Sequence, residues 1–303
     1  MCKKSSEILG IEFYKDLAIK RVIIFGVGYY GRAIFRKLQR NPNKYTIVCF
    51  IDNDAEKDGG EFAKIPILSP KKLKKIDFDK VLIAGRSIQS QIEQLENQLQ
   101  IPKSKIRVLK KSEVAISGTD SLSREKSTLQ MVEIVLKIFT SNRIDYWLDY
   151  SSLLALYRKG KLSDYSDVDI SLISYNAANI LWKELSSLNI PGIEIRKGYD
   201  KDRSLHKISK IKISSVVNIE KEEPALIDIA VKSRENDSYV NDINGIPTYT
   251  PVKYLSGFTI KGYHNLELRM PLHVEDYLEF VYGKDWKIPA EYWHEDSYGN
   301  LIK

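Results

Sequence analysis

The stretch from Tyr146 to Ile170, YWLDYSSLLALYRKGKLSDYSDVDI, narrows the choice of fold more than any other part of the chain. It reads as strand, turn, helix, loop and strand. Tyr146 to Leu148 is short and aromatic-rich, and Ser151 and Ser152 suit the cap of the helix that follows. Leu153, Leu154, Leu156 and Tyr157 give that helix an apolar side. The polar loop from Arg158 to Ser166 then runs into Asp167-Val168-Asp169-Ile170, where charge and apolarity alternate with period two. In a strand this spacing puts both carboxylates on one face and Val168 and Ile170 on the other.

Two carboxylates fixed side by side repel each other, so a fold that keeps them has a use for the charge. A divalent cation is the usual one. Mg²⁺ takes oxygen ligands and is held by one or two carboxylates, with phosphates and waters completing its shell. A helix start beside it, here with Ser151 and Ser152, is a place for phosphate. A third acid stands in a similar setting downstream. Asp228 is the one charge in the apolar run Ala225-Leu-Ile-Asp-Ile-Ala-Val231, and burying a lone carboxylate is costly unless it is paired or metal-bound. Asp167, Asp169 and Asp228 are therefore the candidate catalytic and metal-binding residues, with Mg²⁺ or Mn²⁺ as the cofactor.

The whole constellation resembles the signature of the LicD–fukutin phosphotransferases, roughly GTLLGxxRxGxxIPWDxDxDI. Ser151 to Ala155 stands where GTLLG would be, with both glycines replaced. Arg158 and Gly160 match the Arg and Gly, Leu162 the Ile, and Asp167 and Asp169 the final acidic pair. Ser163-Asp164-Tyr165 replaces Pro-Trp-Asp and shifts one acid by a position. Near the other end, Pro271 to Pro289 with its YGKDWKIP resembles that family's YG-x-x-W-x-x-P ending. In physical terms Tyr282 and Trp286 are residues that pack a helix end against the core, and Gly283 stops that helix. The resemblance implies a nucleotidyltransferase-type fold. It also implies an enzyme that moves phosphocholine, glycerol phosphate or ribitol phosphate from a CDP-linked donor to a hydroxyl of a glycan or lipid-linked glycan, in building cell-surface polysaccharide or glycolipid. Ser151, Ser152 and Arg158 then position phosphate. Asp228 completes the metal site or takes the acceptor's proton.

Upstream, Arg21 to Phe25 is a compact apolar strand that runs into Gly26-Val-Gly28-Tyr-Tyr-Gly31 and a helix with Ala33, Ile34 and Leu38 inward. A second strand, Thr46 to Ile51, ends in Asp52. Gly26, Gly28 and Gly31 permit a tight turn and close approach of a pyrophosphate, and Asp52 is placed to meet a ribose hydroxyl. The alternation continues through Ile65 to Leu68, a Ser69-Pro70 helix start, Val81 to Ala84, a helix from Ser87 to Leu99, and Ile106 to Leu109. The phrases FGVGYYGR, VCFIDND and IPILSP resemble the small Rossmann-like domain of bacterial sugar acyltransferases, which implies nucleotide binding or scaffolding. An NAD dehydrogenase needs a catalytic acid–base and a matching substrate domain, and neither is recognisable.

The chain of 303 residues has room for two domains at roughly 100–200 residues each. The expected architecture is α/β: a Rossmann-like parallel sheet over 1–116, then an α+β nucleotidyltransferase-type domain over 120–303. A helix from about Ser123 to Asn142 opens the second, with a core stripe of Leu129, Val132, Leu136 and Phe139. Strands are expected over Ile193 to Ile195, Leu205 to Ile213, Val216 to Ile219 and Ala225 to Val231.

Charge is uneven. Residues 1–118 carry 23 Lys and Arg against 13 Asp and Glu, whereas the remainder is slightly acidic. The basic half suits a solvated surface, or an anionic partner such as a nucleotide or a lipid headgroup surface. Another basic run, from Arg196 to Lys212, offers Arg203, His206 and Lys207 as phosphate or acceptor contacts. No recognition helix, zinc finger or RNA-binding signature accompanies the charge, which argues against nucleic acid. No apolar run approaches the ~20 residues of a membrane span. The first residues lack the apolar core of a signal peptide, and two cysteines make neither a disulfide framework nor a zinc site. The expected location is the cytoplasm, including the inner membrane face. Two other readings compete with the phosphotransferase: a nucleotidyltransferase that moves NMP from an NTP, and a non-catalytic sugar-nucleotide-binding scaffold.

Overall fold

The structure, a computed structural model, describes residues 19–85, 87–115, 119–162, 167–199, 207–243, 246–292 and 298–302. Asp164, in the loop before Asp167, lies outside the described residues. The protein is mixed α/β, and its own contacts divide it into two compact units. One comprises Met1–Ala115 with Glu291–Glu295, the other Ile116–Ala290 with Asp296–Lys303.

The first unit runs β1 (Lys20–Phe25), α1 (Tyr29–Gln39), β2 (Tyr45–Ile51), β3 (Glu61–Phe62), β4 (Ile65–Leu68), β5 (Lys80–Ile83), α2 (Ile88–Glu93), β6 (Ile106–Val108) and α3 (Lys111–Val114). Its six-stranded sheet has the order β3-β4-β2-β1-β5-β6, parallel except for the β3–β4 pair. Strands of such a sheet are apolar on both faces because both are covered. Val22, Ile24, Phe50 and Leu82 pack with Ile34 and Phe35 of α1 on one side. Ile23, Phe25, Cys49, Ile51, Val81 and Ile83 pack with Leu73, Phe78 and Leu95 on the other. Burial pushes the Cys49 thiol up to about 11, which leaves it inert at neutral pH. The helix expected from Ser87 to Leu99 divides into α2 and a wider π turn over Gln94–Gln98.

The second unit runs α4 (Thr119–Ser141), β7 (Trp147–Leu148), α5 (Tyr150–Lys159), β8 (Val168–Leu172), α6 (Tyr175–Leu188), β9 (Ile193–Tyr199), β10 (Ile208–Ser215), β11 (Leu226–Val231), β12 (Ser233–Glu235), β13 (Ser238–Ile243), β14 (Ile246–Pro251), α7 (Val252–Leu255), β15 (Phe258–Tyr263), β16 (Leu266–Pro271) and α8 (Val274–Tyr282). Its main sheet has the order β7-β8-β11-β10-β9, with β8 and β11 parallel and the other neighbours antiparallel. Period two divides this sheet cleanly. Val168, Ile170, Leu172, Ile211, Ile213, Ile227 and Ile229 are buried in one core with Val132, Val135 and Phe139 of α4 and Leu181 and Leu185 of α6. The alternate residues, Asp169, Lys210, Lys212 and Asp228, share the other face.

Val216 to Ile219 forms a loop, contrary to the strand read from its apolar residues. Val216 and Ile219 are exposed, and Asn218 closes a turn by accepting from the Glu220 N–H. Propensity alone makes no strand where no neighbouring strand supplies a ladder. Trp286 is buried, and Gly283 ends α8 with φ +82°.

Candidate active site

The site is built where α5 starts and β8 begins. Asp149, not Ser151 or Ser152, is the N-cap of α5, and its carboxylate accepts from the Tyr150 N–H at 2.8 Å. Both serines lie inside the first turn. Ser152 is fully buried; its hydroxyl accepts from the Asp169 N–H at 2.8 Å and donates to the Asp167 carbonyl at 3.2 Å. This hydroxyl staples the helix to the start of β8. The Ser151 N–H and hydroxyl both donate to Asp169 Oδ2, at 3.1 and 2.5 Å. The helix N-terminus thus faces a carboxylate, as its dipole favours.

Asp167 and Asp169 flank Val168, and Asp228 of β11 lies directly beside Asp169 in the parallel register. Three carboxylates are thereby brought to one face. Burial first, and then the Asp167 charge, push Asp169 well above the usual carboxylate range; Asp228 and Asp149 add to this and the Ser151 hydroxyl opposes it. Asp228 Oδ2 is 2.8 Å from Lys210 Nζ and 3.6 Å from Lys212 Nζ. Its Oδ1 is buried and has no hydrogen-bond partner.

Among the described residues no three His, Cys, Asp or Glu side chains converge as a ready-made metal cage. The donor set still fits a hard cation. It consists of carboxylate oxygens, one of them an orphaned buried atom, and Mg²⁺ leaves several positions to water and substrate phosphate.

Directly behind the site lies a buried network that sequence reading missed. Lys232 is fully buried, with its ammonium 2.7 Å from Asp149 Oδ2, 2.9 Å from Thr250 Oγ1 and 3.4 Å from the Tyr150 hydroxyl. Ser171 donates to Asp149 Oδ2 at 2.5 Å, and the Tyr277 hydroxyl donates to Oδ1. Burial alone would raise the Asp149 carboxyl, but Lys232, Ser171 and Tyr277 hold it below the usual range. Burial alone would lower Lys232, and Asp149 keeps it above its ordinary value. Tyr150 sits between them at φ +40°, a left-handed conformation that costs a non-glycine residue roughly 1–2 kcal/mol. One signal was available in sequence: an aspartate immediately before a helix, as good a cap as serine.

The remaining sequence-derived residues are placed variously. Arg158 donates to the carbonyls of Trp286 and Ile288, which ties the end of α5 to the segment after α8. Lys207 has its ammonium 5.0 Å from the centre of the Tyr175 ring. Arg203 and His206 lie outside the described residues. In the first unit, Gly26 has φ +86°, and a Cβ on Gly31 would stand 1.8 Å from the Gly26 carbonyl oxygen. A Cβ on Gly28, at the cap of α1, would meet nothing within 4 Å. Asp52 accepts from the Val27 and Asp54 N–H groups at 3.0 Å each and pairs with Lys57 at 3.3 Å. Burial would raise this carboxyl, but those bonds hold it below the usual range.

Residues 18–107 match the family model "C2185-like, N-terminal". Over 180 residues, 57% of this chain, the sequence is 24% identical to Ribitol-5-phosphate transferase FKTN of Macaca fascicularis and 23% identical to that of Homo sapiens. The match spans 36% of the length of those relatives. Among solved structures, UDP-D-quinovosamine 4-dehydrogenase from Vibrio fischeri is 28% identical over 36% of this chain and 87% of its own, with a TM-score of 0.25. The lincomycin-bound lincosamide adenylyltransferase LnuA is 15% identical over 48% of this chain and 79% of its own, with a TM-score of 0.31. Across more than half its length, this chain is therefore similar to about a third of a transferase.

Proposed function

We propose that residues 120–303 form a LicD-type phosphotransferase that moves a polyol or choline phosphate from a CDP-linked donor to a glycan or lipid-linked glycan hydroxyl. The observation that carries this reading is the in-register meeting of Asp169 and Asp228 beside Asp167, on the polar face of a sheet whose other face is core. The distant likeness to a ribitol-5-phosphate transferase supports it and makes ribitol phosphate the first donor to try.

Asp167 and Asp169 would hold Mg²⁺ or Mn²⁺, with Asp228 as third carboxylate or as proton acceptor. The cation, when bound, neutralises charge on the donor's diphosphate. Ser151 aims and holds the Asp169 carboxylate, and Ser152 fixes the backbone that carries it. The acceptor hydroxyl oxygen attacks the phosphorus that bears the alcohol, the bond to CMP breaks, and the hydroxyl proton leaves to a base. In the first unit, residues 1–116 act as a nucleotide-binding or scaffold domain. No helix among the described residues is long and apolar enough to cross a membrane. A lipid-linked acceptor would be met at the membrane surface, where the basic segment 1–118 suits anionic headgroups.

The test is a screen of CDP-ribitol, CDP-glycerol and CDP-choline with Mg²⁺ for release of CMP. Metal-dependent CMP release that is lost in Asp167→Asn is expected. Release of pyrophosphate from an NTP, with none of CMP, would establish the nucleotidyltransferase instead. Asp228→Asn then separates the two roles of that residue: weakened cation binding marks a ligand, whereas intact binding with loss of the acidic limb of the pH–rate profile marks a base.

A further inference from the structure

The polar face of the main sheet carries a row of charges that the three acids do not account for. In one cross-strand line the register places Arg196 of β9, Lys212 of β10, Asp228 of β11 and Asp169 of β8. Lys210 lies two residues from Lys212 and so on the same face. Arg196 is already engaged, since its guanidinium makes two hydrogen bonds to Glu194 at 2.9 and 3.0 Å. Lys197 points to the other face, with its ammonium 4.5 Å from the centre of the Trp182 ring. Among the described residues of this row, Lys210 and Lys212 bring their cations up to the acids.

Pairing with Asp228 does not explain both. Lys210 makes the close contact at 2.8 Å, whereas Lys212 at 3.6 Å is beyond hydrogen-bond reach. Both ammonium groups address the same oxygen, Oδ2, and the other oxygen is left with no partner. Two ammonium groups on one carboxylate oxygen repel each other, as the neighbouring acids do. Their side chains are 30% and 45% exposed, so an arriving anion can reach them. Lysine binds phosphate as a compact point charge on a flexible stem, which suits a group that changes partner during a reaction.

We infer that Lys210 and Lys212 form the anion-binding half of the site and take the diphosphate oxygens of the donor, with Asp228 holding them in place until the anion arrives. This rests on the phosphotransferase reading above. Three acids against two lysines leave the face one charge negative, so a phosphate is repelled. A bound divalent cation turns the same face one charge positive. Anion binding is therefore conditional on the cation, and the lysines supply the margin. When the anion displaces Asp228 from Lys210, both Asp228 oxygens become available on the side of Asp169.

The experiment is calorimetric titration of the full chain with inorganic pyrophosphate, with and without Mg²⁺, alongside Mn²⁺ binding read by electron paramagnetic resonance. Wild type is expected to bind pyrophosphate only with Mg²⁺. Lys212→Gln, which leaves the Lys210–Asp228 pair intact, should weaken that binding about 10-fold, and Lys210→Gln with Lys212→Gln about 100-fold. The corresponding double arginine variant should stay within about 3-fold of wild type, and Mn²⁺ binding should persist in all of them. Pyrophosphate binding unchanged in Lys212→Gln and in the double glutamine variant, with Mn²⁺ still bound, overturns this inference alone and reduces the lysines to ion-pair partners of Asp228. Wild type that binds pyrophosphate equally well without Mg²⁺, or not at all, overturns the phosphotransferase reading and this inference with it.

Discussion

At the scale of single residues, the molecule holds two acids, Asp149 buried and Asp169 part-buried, with opposite responses to protons. Asp149 is held below the usual carboxylate range by Lys232, so the stability it contributes is present above about pH 4 and is lost as pH falls through its own lower value. Lys232 is raised, so its contribution is full below about pH 10 and is lost as pH rises through its folded value. Asp169 is raised, so its ionised form weakens the fold, and the protein gains stability as pH falls through that folded value toward about 4. Lys232→Met should lower stability by roughly 3–5 kcal/mol at neutral pH, because it strands the Asp149 charge in the core. Asp169→Asn should raise the melting temperature by roughly 2–4 °C at pH 7, what ~1 kcal/mol does in a chain of this size, and the gain should shrink in acid. Thermal melts across pH on both variants check these signs. A melting temperature for Asp169→Asn below wild type at pH 7 would refute the crowding of the acids.

Glycines supply another residue-scale contrast. Gly31→Ala drives a Cβ into the Gly26 carbonyl and should cost at least ~3 kcal/mol. Gly28→Ala meets open space at an ordinary φ of −71° and should change stability by less than about 1 kcal/mol. Chemical denaturation of the two variants checks this. Two glycines of the loop are thus required by the backbone itself. Gly28 is the one that the backbone does not require.

At the scale of elements, α5 shows how much of the site could be read from the chain and where reading stopped. The D-x-D strand, the helix before it and the apolar run around Asp228 are visible because period two and period 3.6 are local properties. Their neighbours in space are not. Lys232 follows Val231 as one more charge at a strand end, and only the register of β8 with β11 and the return of β14 show that it is buried. The serines were legible as a helix start but their bonds were not, because Asp149 outcompetes them for the cap. Sheet β12-β13-β14 and the β15–β16 pair, which complete the second unit, carry no comparable motif. The two hydroxyls of α5 should therefore separate by substitution. Ser152→Ala leaves the buried Asp169 N–H without its acceptor and should cost about 1–3 kcal/mol, whereas Ser151→Ala should cost less than about 1 kcal/mol yet loosen cation binding. Urea melts with Mn²⁺ titration distinguish the pair, and equal losses of stability would contradict the staple.

At the scale of the whole molecule, each unit poses its own question to solution experiments. The parallel unit ends β1 on the glycine loop with Asp52 bonded to that loop, an arrangement that presents the α1 N-terminus and leaves space above Gly28. If this unit takes a nucleotide, titration of the full chain with NAD, UDP-sugars or CDP-alcohols should show a site that Gly28→Val abolishes without change in melting temperature. Binding that persists in Gly28→Val would place the nucleotide elsewhere.

The parallel pairing of β8 with β11 has a consequence for the order of events as the chain folds. β7, α5 and β8 are consecutive and assemble from near neighbours. Asp228 reaches Asp169 only after α6 and the β9–β10 hairpin have been laid down between them, since β10 is the strand on which β11 closes. Loop-closure entropy makes such distant pairings slow. The acidic face should accordingly be among the last parts of the second unit to form. In a stopped-flow refolding experiment, recovery of Mn²⁺ binding should lag behind recovery of far-ultraviolet dichroism, and a newly made chain would acquire its helices well before it could gather its charges.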